Sequence, residues 1–261
     1  MNTNQIYWQP IINKLGKYLF AIPWLIFGIQ HYLYATFVTS LVPVYMPLKL
    51  FWVYFTGTAM MAAAVSFIID VKTKLTAWLL AAMLCLFILM LHIPALTTKS
   101  PTMIGGVRAL QDLALMGIAL ILTGHLTAVS VGRIFFALGI LAMGCLHFMH
   151  VDFITGKVPP YLPAVNLLDY IVGFIMVLTS FCIIAGWQLV RISSSLGAIL
   201  LSLTLLYYIP VLAENIYNGT LWTGFMLNIG LTGGAFLMSL EREFDLKGRL
   251  YPGVNRHAVS F

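Results

Sequence analysis

Histidine side chains near the ends of long apolar runs are the first candidates for chemistry in this chain of 261 residues. His31 and His147 each stand at the end of such a run, and His92 lies near the end of another. A neutral imidazole can bond a carbonyl of a quinone or a lipid headgroup, or carry a proton. It can equally serve the fold, by capping the helix end or bonding the loop that follows. Ionisable groups inside membrane spans are costly and often mark function. The candidate ligand-binding residues are His31, His92, His147, His150, Asp112, Asp169, Glu214, Tyr54 and Tyr170.

Each of the other candidates also has a structural interpretation. Arg108 and Asp112 have the i, i+4 spacing of a helical ion pair, which predicts that they neutralise each other. His147 and His150 share a helix face at i, i+3, as metal ligands can. No HExxH or ExxH pattern accompanies them, so we predict no metal site. Tyrosines near the ends of apolar runs, such as Tyr54 and Tyr170, commonly anchor a span at the membrane interface.

The composition requires a membrane around the elements that carry these residues. Hydrophobic residues make up 61% of the chain and charged residues 8%, with a mean hydropathy of +0.96. The apolar runs continue for about 20 residues, the length at which a helix crosses a bilayer. We therefore predict an all-α polytopic membrane protein with eight transmembrane helices. The predicted spans are 17–35, 50–69, 75–94, 108–124, 133–150, 166–186, 194–213 and 221–240.

The charge pattern predicts the orientation and excludes some partners. The net charge is +6, but Lys and Arg lie in short connections, so no nucleic acid partner is expected. Ten of them fall on the side that carries both termini and four on the other side, which predicts cytoplasmic termini in a bacterial inner membrane. Residues 241–261 form a cytoplasmic C-terminal tail in this prediction. The three cysteines lie in separate apolar runs without a CxxC pattern, which argues against a dithiol relay.

A shift of 116 residues aligns 17–124 with 133–240 without a gap. Of the 108 aligned pairs, 25 are identical. The repeated positions include the pairs Gly28 and Gly144, His31 and His147, Pro43 and Pro159, Tyr45 and Tyr161, Tyr54 and Tyr170, Gly57 and Gly173, and Gly117 and Gly233. This pattern predicts a tandem duplication, with one four-helix unit at 1–128 and a second at 129–240.

Each predicted unit contains an even number of spans, so both units have the same orientation in the membrane. The expected symmetry axis is then parallel to the membrane normal, unlike that of inverted-repeat transporters. The repetition of His31 as His147 favours a structural role for both. Asp169 has no such counterpart, because Val53 stands at the equivalent position.

The repeated motif resembles the DoxX-like family of small membrane proteins. It reads GIQHYLYATFVTSLVPVYMPLKLFWVYFTG in the first unit and GCLHFMHVDFITGKVPPYLPAVNLLDYIVG in the second. The resemblance covers almost the whole chain as two fused four-span units. It implies a relationship to membrane subunits of a thiosulfate:quinone oxidoreductase and to proteins that accompany soluble redox enzymes. A glutamate common in that family is replaced here by Met60 and Met176.

Together these features predict an accessory or quinone- or lipid-binding subunit of a redox or envelope complex. The first alternative is a quinone-linked oxidoreductase subunit of the thiosulfate:quinone type, which would need a partner to supply electrons. The second is a small-molecule transporter, since parallel repeats permit rocking bundles. No covalent cofactor is expected, and the bound ligand would be a quinone or a lipid. The expected partners are membrane lipids and a soluble or membrane-bound redox protein.

Overall fold

The computed structural model describes residues 3–97, 103–152 and 163–240, and this part of the chain is all-α. Nine helices occur within it, eight of them 19 residues or longer. The helices are α1 Thr3–Leu33, α2 Ala35–Leu41, α3 Lys49–Ile69, α4 Thr73–Leu96, α5 Met103–Leu122, α6 Leu126–Met149, α7 Val165–Ile184, α8 Leu189–Glu214 and α9 Gly219–Leu237. Each span predicted from the sequence falls on one of the eight long helices. The predicted tail 241–261 and most of the second proline loop, 153–162, lie outside the described residues.

Helix α4 is interrupted near its end by a π-helical turn, Ile88–His92. Pro94 follows directly, and proline has no N–H to donate to the carbonyl group of Met90. The wider turn accommodates this missing hydrogen bond, and the chain then continues as helix to Leu96. The turn sets the direction in which His92 leaves the helix.

The protein is a polytopic integral membrane protein. Within the described residues, helices α3 to α8 are each long and apolar enough to cross a membrane, which gives six candidate spans. Helices α1 and α2 pass the same test as a pair bent by 99° and raise the number to seven. Helix α9 falls outside this set. Its glycines, threonines and Asn228 lower its hydropathy, and the protein itself buries most of it.

Two boundaries differ from the sequence prediction in a way that affects the histidine-bearing helices. Helix α1 begins at Thr3, well before the predicted start at residue 17, because helical structure continues through the polar N-terminal residues. At its other end the chain bends sharply into α2, which has no buried residue. The loop that follows α2 is also exposed, with Val44 at 92% and Tyr45 at 67%.

The eight long helices form a closed ring. In chain order each packs on the next, α1 on α3, α3 on α4, and so on to α8 on α9, and α9 packs on α1. Helices α5 and α9 also meet across the centre of the ring. Residues of the two predicted units therefore meet at three helix pairs: α5 with α6, α9 with α1, and α5 with α9.

Glycines allow the closest approaches between helices in this ring. A Cβ atom on Gly28 would lie 2.6 Å from the carbonyl oxygen of Gly57, so α1 and α3 touch through their backbones. Gly144 and Gly173 make the equivalent contact between α6 and α7, at 3.1 Å. These contacts matter for the site because a histidine follows the first glycine of each pair by one helical turn.

The backbone repeats its unusual conformations at the same interval of 116 residues. Left-handed residues begin α3 at Leu48 and α7 at Ala164, and begin α4 at Lys72 and α8 at Gln188. Few non-glycine residues adopt this conformation. Its recurrence means that both halves of the ring turn between helices in the same way.

Candidate functional site

His147 and Asp169 form the most deeply buried ionisable pair for which both side chains are described. His147 Nδ1 lies 2.6 Å from Asp169 Oδ1, and only 5% of the Asp169 side chain is exposed. The other carboxylate oxygen, Oδ2, is buried and has no hydrogen-bond partner among the described residues. A buried polar atom without a partner is energetically costly and requires an explanation. Here it marks a place where a further hydrogen-bond donor would be stabilised.

The two residues meet because α6 and α7 cross at Gly144 and Gly173. His147 lies one turn after Gly144, and Asp169 lies one turn before Gly173 in the antiparallel neighbour. A Cβ on Gly173 would lie 2.7 Å from Cβ of His147, so a larger residue there would displace the imidazole. The close glycine contact therefore positions the His147 ring against the acid.

Each residue of this pair is followed in the sequence by an aromatic residue. Phe148 stacks on Tyr170, with ring centroids 5.9 Å apart and an interplanar angle of 18°. Tyr170 is 40% exposed, so the stack lies at the surface of the helix bundle. The stack therefore presents an apolar, flat surface formed by the sequence neighbours of His147 and Asp169.

The equivalent position of the first half contains the same histidine without an acid. His31 Nδ1 lies 2.8 Å from the carbonyl oxygen of Phe27, four residues earlier in its own helix. Val53, which is 1% exposed, stands where the second half has Asp169. Tyr32 and Tyr54 form the corresponding aromatic stack, with centroids 4.9 Å apart. The two halves thus share a frame and differ in one buried carboxylate.

A second polar pair joins α4 to α5. His92 Nε2 lies 2.8 Å from Asp112 Oδ2, with 18% and 13% of the two side chains exposed. The ion pair that the sequence predicts between Arg108 and Asp112 is replaced by this contact. Arg108 instead donates a hydrogen bond to Gln111 Oε1 at 3.1 Å, while remaining electrostatically attracted to Asp112. The π-helical turn of α4 carries His92 to the acid.

The counterpart of this pair in the second half is neutral. Asn228 Nδ2 donates to the Tyr208 hydroxyl at 3.4 Å, and these residues lie 116 positions after Asp112 and His92. Tyr208 and the buried Gln111 were not among the candidates identified from the sequence. The 116-residue alignment places Tyr208 at the position of His92, and this equivalence could have identified Tyr208 as a candidate.

The remaining candidates do not join either pair. His150 follows the last residue of α6 and Glu214 is the last residue of α8, and both are exposed. Neither side chain makes a hydrogen bond or ion pair within the part of the chain that the structure describes. In that same part no three His, Cys, Asp or Glu residues are grouped so that they could hold a metal ion. Cys85, Cys145 and Cys182 are free thiols.

The geometry of the His147 pair has a definite chemical consequence. Because Nδ1 faces the carboxylate, Nε2 is the ring nitrogen that remains for an external partner. A carboxylate behind an imidazole fixes the orientation of the ring. His147 can therefore either accept a hydrogen bond at Nε2 or, when protonated, donate one to a carbonyl group.

Comparison with known proteins adds no assignment. No protein-family model, no curated protein and no solved structure matches the chain.

Proposed function

We propose that this protein is a DoxX-like membrane subunit that binds the carbonyl group of a quinone or a lipid headgroup at His147. The ligand would lie against the Phe148–Tyr170 stack, with its carbonyl oxygen at Nε2 of the imidazole. The subunit would serve a redox or envelope complex as an accessory component and dock a redox partner.

The observation that carries this proposal is the buried contact between His147 and Asp169. A histidine that only supports the fold can bond its own helix, as His31 does with Phe27. His147 instead bonds a carboxylate that is 5% exposed and that retains one unpartnered oxygen. Burying a carboxylate is unfavourable unless it is compensated. The equivalent position of the first half holds Val53, so the fold does not require an acid there, and the presence of Asp169 favours a functional role.

A tandem origin with eight spans also belongs to this proposal. It is supported by the contacts that recur after 116 residues: the glycine crossings, the aromatic stacks, the left-handed helix starts, and the pairs His92–Asp112 and Tyr208–Asn228. Eight long helices in one ring fit two units of four spans. Helix α9 would be a span that is largely covered by protein, so it needs less apolar surface toward lipid.

The proposed location is the bacterial cytoplasmic membrane, with both termini in the cytoplasm. Lys17 and Asp70 form an ion pair at one end of the bundle, where Lys72 and Lys74 also lie. We call this the lysine end, and the end that carries His31, His92 and His147 the histidine end. Positive charge favours the cytoplasmic side, so the ligand would bind toward the outer side.

The experiment that tests the binding proposal compares matched variants of the two halves. Protein purified in mild detergent or native nanodiscs is extracted with organic solvent, and the extract is analysed by mass spectrometry. We expect a stoichiometric quinone, isoprenoid or specific lipid in the wild type and in H31A. The double variant H147A/D169V removes both partners of the buried pair and is expected to lose the ligand.

Two results would contradict the proposal. One is an extract of the wild type that contains only bulk phospholipid at membrane proportions. The other is equal retention by wild type and H147A/D169V, with both eluting as folded protein in size-exclusion chromatography. A loss in H31A alone would place the ligand in the first half instead.

A catalytic quinone-linked oxidoreductase subunit is the second candidate function. The observation that favours it is the same imidazole–carboxylate pair, because quinone reduction consumes protons and a buried His–Asp pair can deliver one. Electrons would have to come from a partner protein. In membranes that contain this partner, H147A/D169V would then abolish quinone reduction. A binding-only subunit would leave reduction measurable at saturating quinone.

A further inference from the structure

A groove of about 490 Å³ runs along the outside of the bundle between α3 and α4, away from the histidine pairs. Its lining is almost entirely apolar and ends at the turn that joins the two helices. The lining residues are Thr58, Met61, Ala62, Val65, Ser66, Ile69, Val71, Lys72 and Thr76. On α3 they span from Thr58 to Ile69, a rise of roughly 16 Å, which is the length of an extended acyl chain segment.

Small side chains open this groove in the first half of the ring. At the three equivalent positions of the second half, Thr58, Ala62 and Val65 are replaced by larger residues. Those replacements are Phe174, Leu178 and Phe181, with 60%, 50% and 56% exposure. Bulky groups therefore project from the surface where the first half has a depression. The glycine contact that joins α1 to α3 recurs between α6 and α7, so the helix crossing itself is common to both halves.

A positive charge closes the groove at the lysine end. Lys17 Nζ neutralises Asp70 Oδ2 at 3.0 Å, whereas Lys72 has no ion-pair partner within the described residues. Lys72 holds a left-handed conformation with φ 58° at the start of α4. Its counterpart in the second half is Gln188, which carries no charge. Lys72 and the small lining residues thus occur together in the first half, whereas the second half has Gln188 and larger residues at the equivalent positions.

Polar groups between α3 and α4 support the shape of this end. Ser66 Oγ lies 2.6 Å from Thr76 Oγ1 and donates to the carbonyl oxygen of Val71 at 2.6 Å. These contacts tie the turn to both helices and hold Lys72 at the mouth of the groove. An anionic group bound there would lie at membrane-surface depth, with its hydrocarbon portion against α3.

We propose that this groove is a binding site for one anionic phospholipid, with an acyl chain along α3 and the phosphate at Lys72. The phosphate oxygens would be attracted by the Lys72 ammonium group, and the acyl chain would make van der Waals contacts with the small side chains of α3. A phospholipid is favoured over free phosphate because most of the lining is hydrocarbon. The site is distinct from the one at His147 and stands or falls independently of it.

The test uses native mass spectrometry of the full-length protein released from nanodiscs of mixed phosphatidylglycerol and phosphatidylethanolamine. Three variants separate charge from shape: K72Q, the double variant A62L/V65F, and the control K74Q. The first two introduce the residues of the second half, and the control removes a neighbouring charge outside the groove lining. We expect one retained phosphatidylglycerol per chain in the wild type and in K74Q.

The variants have different expected results. K72Q, a surface change that leaves the fold intact, should lower the preference for phosphatidylglycerol over phosphatidylethanolamine at least five-fold. A62L/V65F should lose the retained lipid altogether. Unchanged preference in K72Q, or unchanged retention in folded A62L/V65F, would overturn the proposal. Displacement of the lipid by millimolar inorganic phosphate would also overturn it, since that would identify an ion site without an acyl chain.

Discussion

His147 Nδ1 lies 2.6 Å from Asp169 Oδ1, whereas the matching atom of His31 bonds to the carbonyl oxygen of Phe27 in its own helix. The two histidines occupy equivalent places beside equivalent glycine contacts. One buried carboxylate therefore separates a histidine that is satisfied by its helix from one that is held by a neighbouring helix. This difference is the reason that we propose ligand binding in the second half.

Replacing Asp169 by valine should change stability little. D169V introduces the residue found at position 53 and removes a carboxylate whose Oδ2 has no partner in the described structure. His147 could then bond the carbonyl oxygen of Met143, as His31 bonds Phe27. We expect the free energy of unfolding to change by no more than about 1 kcal/mol. H147A, by contrast, leaves the acid uncompensated and should cost about 3–5 kcal/mol. Thermal unfolding in detergent measures both, and equal losses would contradict the explanation.

For the pair His92 and Asp112 we expect removal of the acid to cost more stability than removal of the histidine. Asp112 bonds His92 and also attracts Arg108, so D112A leaves two groups without their acid. We expect D112A to cost about 3–5 kcal/mol and H92A about 1–3 kcal/mol. The double variant should show a coupling energy of about 1–3 kcal/mol. Strictly additive losses would mean that the pair contributes nothing to stability.

The glycine crossings give a prediction about helix packing. In G28A the new Cβ would lie 2.6 Å from the carbonyl oxygen of Gly57, which forces α1 away from α3. We expect a loss of about 1–3 kcal/mol. Gly106 is the matched control, because a Cβ there meets only Leu96 at 3.7 Å. G106A should be neutral or stabilising by up to about 1 kcal/mol. A G28A protein as stable as G106A would contradict the close packing.

Much of the helical architecture follows from the sequence, since continuous apolar runs of this length have no other stable form in lipid. The runs do not reveal where a helix bends. The segment 35–41 is as apolar as the span before it, so its sharp turn into α2 has no composition signal. Helix α9 shows the reverse case, because glycines and Asn228 make a buried helix look less apolar than its neighbours.

The sequence identified His147 and Asp169 separately but did not pair them. Hydrophobicity indicates that two helices are present and leaves open which faces meet. The glycines contain the missing information. If the antiparallel helices α6 and α7 cross at Gly144 and Gly173, the residue one turn after Gly144 lies beside the residue one turn before Gly173. These two residues are His147 and Asp169. For Arg108 the sequence favoured the nearest carboxylate along its own helix, whereas Asp112 makes its hydrogen bond to the neighbouring helix, at His92.

The proposed orientation can be checked by cysteine labelling in a background without Cys85, Cys145 and Cys182. Ser40 and Gln188 are both exposed and lie at the histidine end and the lysine end respectively. A membrane-impermeant maleimide added to intact cells should label S40C and not Q188C. The reverse pattern would place the histidine pairs on the cytoplasmic side.

Ligand titration of nanodisc-embedded protein is the most direct test of the His147 site. A short-chain quinone is titrated calorimetrically into the wild type, D169V and H31A. We expect one site per chain in the wild type, the same affinity in H31A, and at least ten-fold weaker binding in D169V, whose imidazole is no longer held by the carboxylate. Equal affinity in wild type and D169V, or a loss confined to H31A, would contradict the assignment of the ligand to His147 and Asp169.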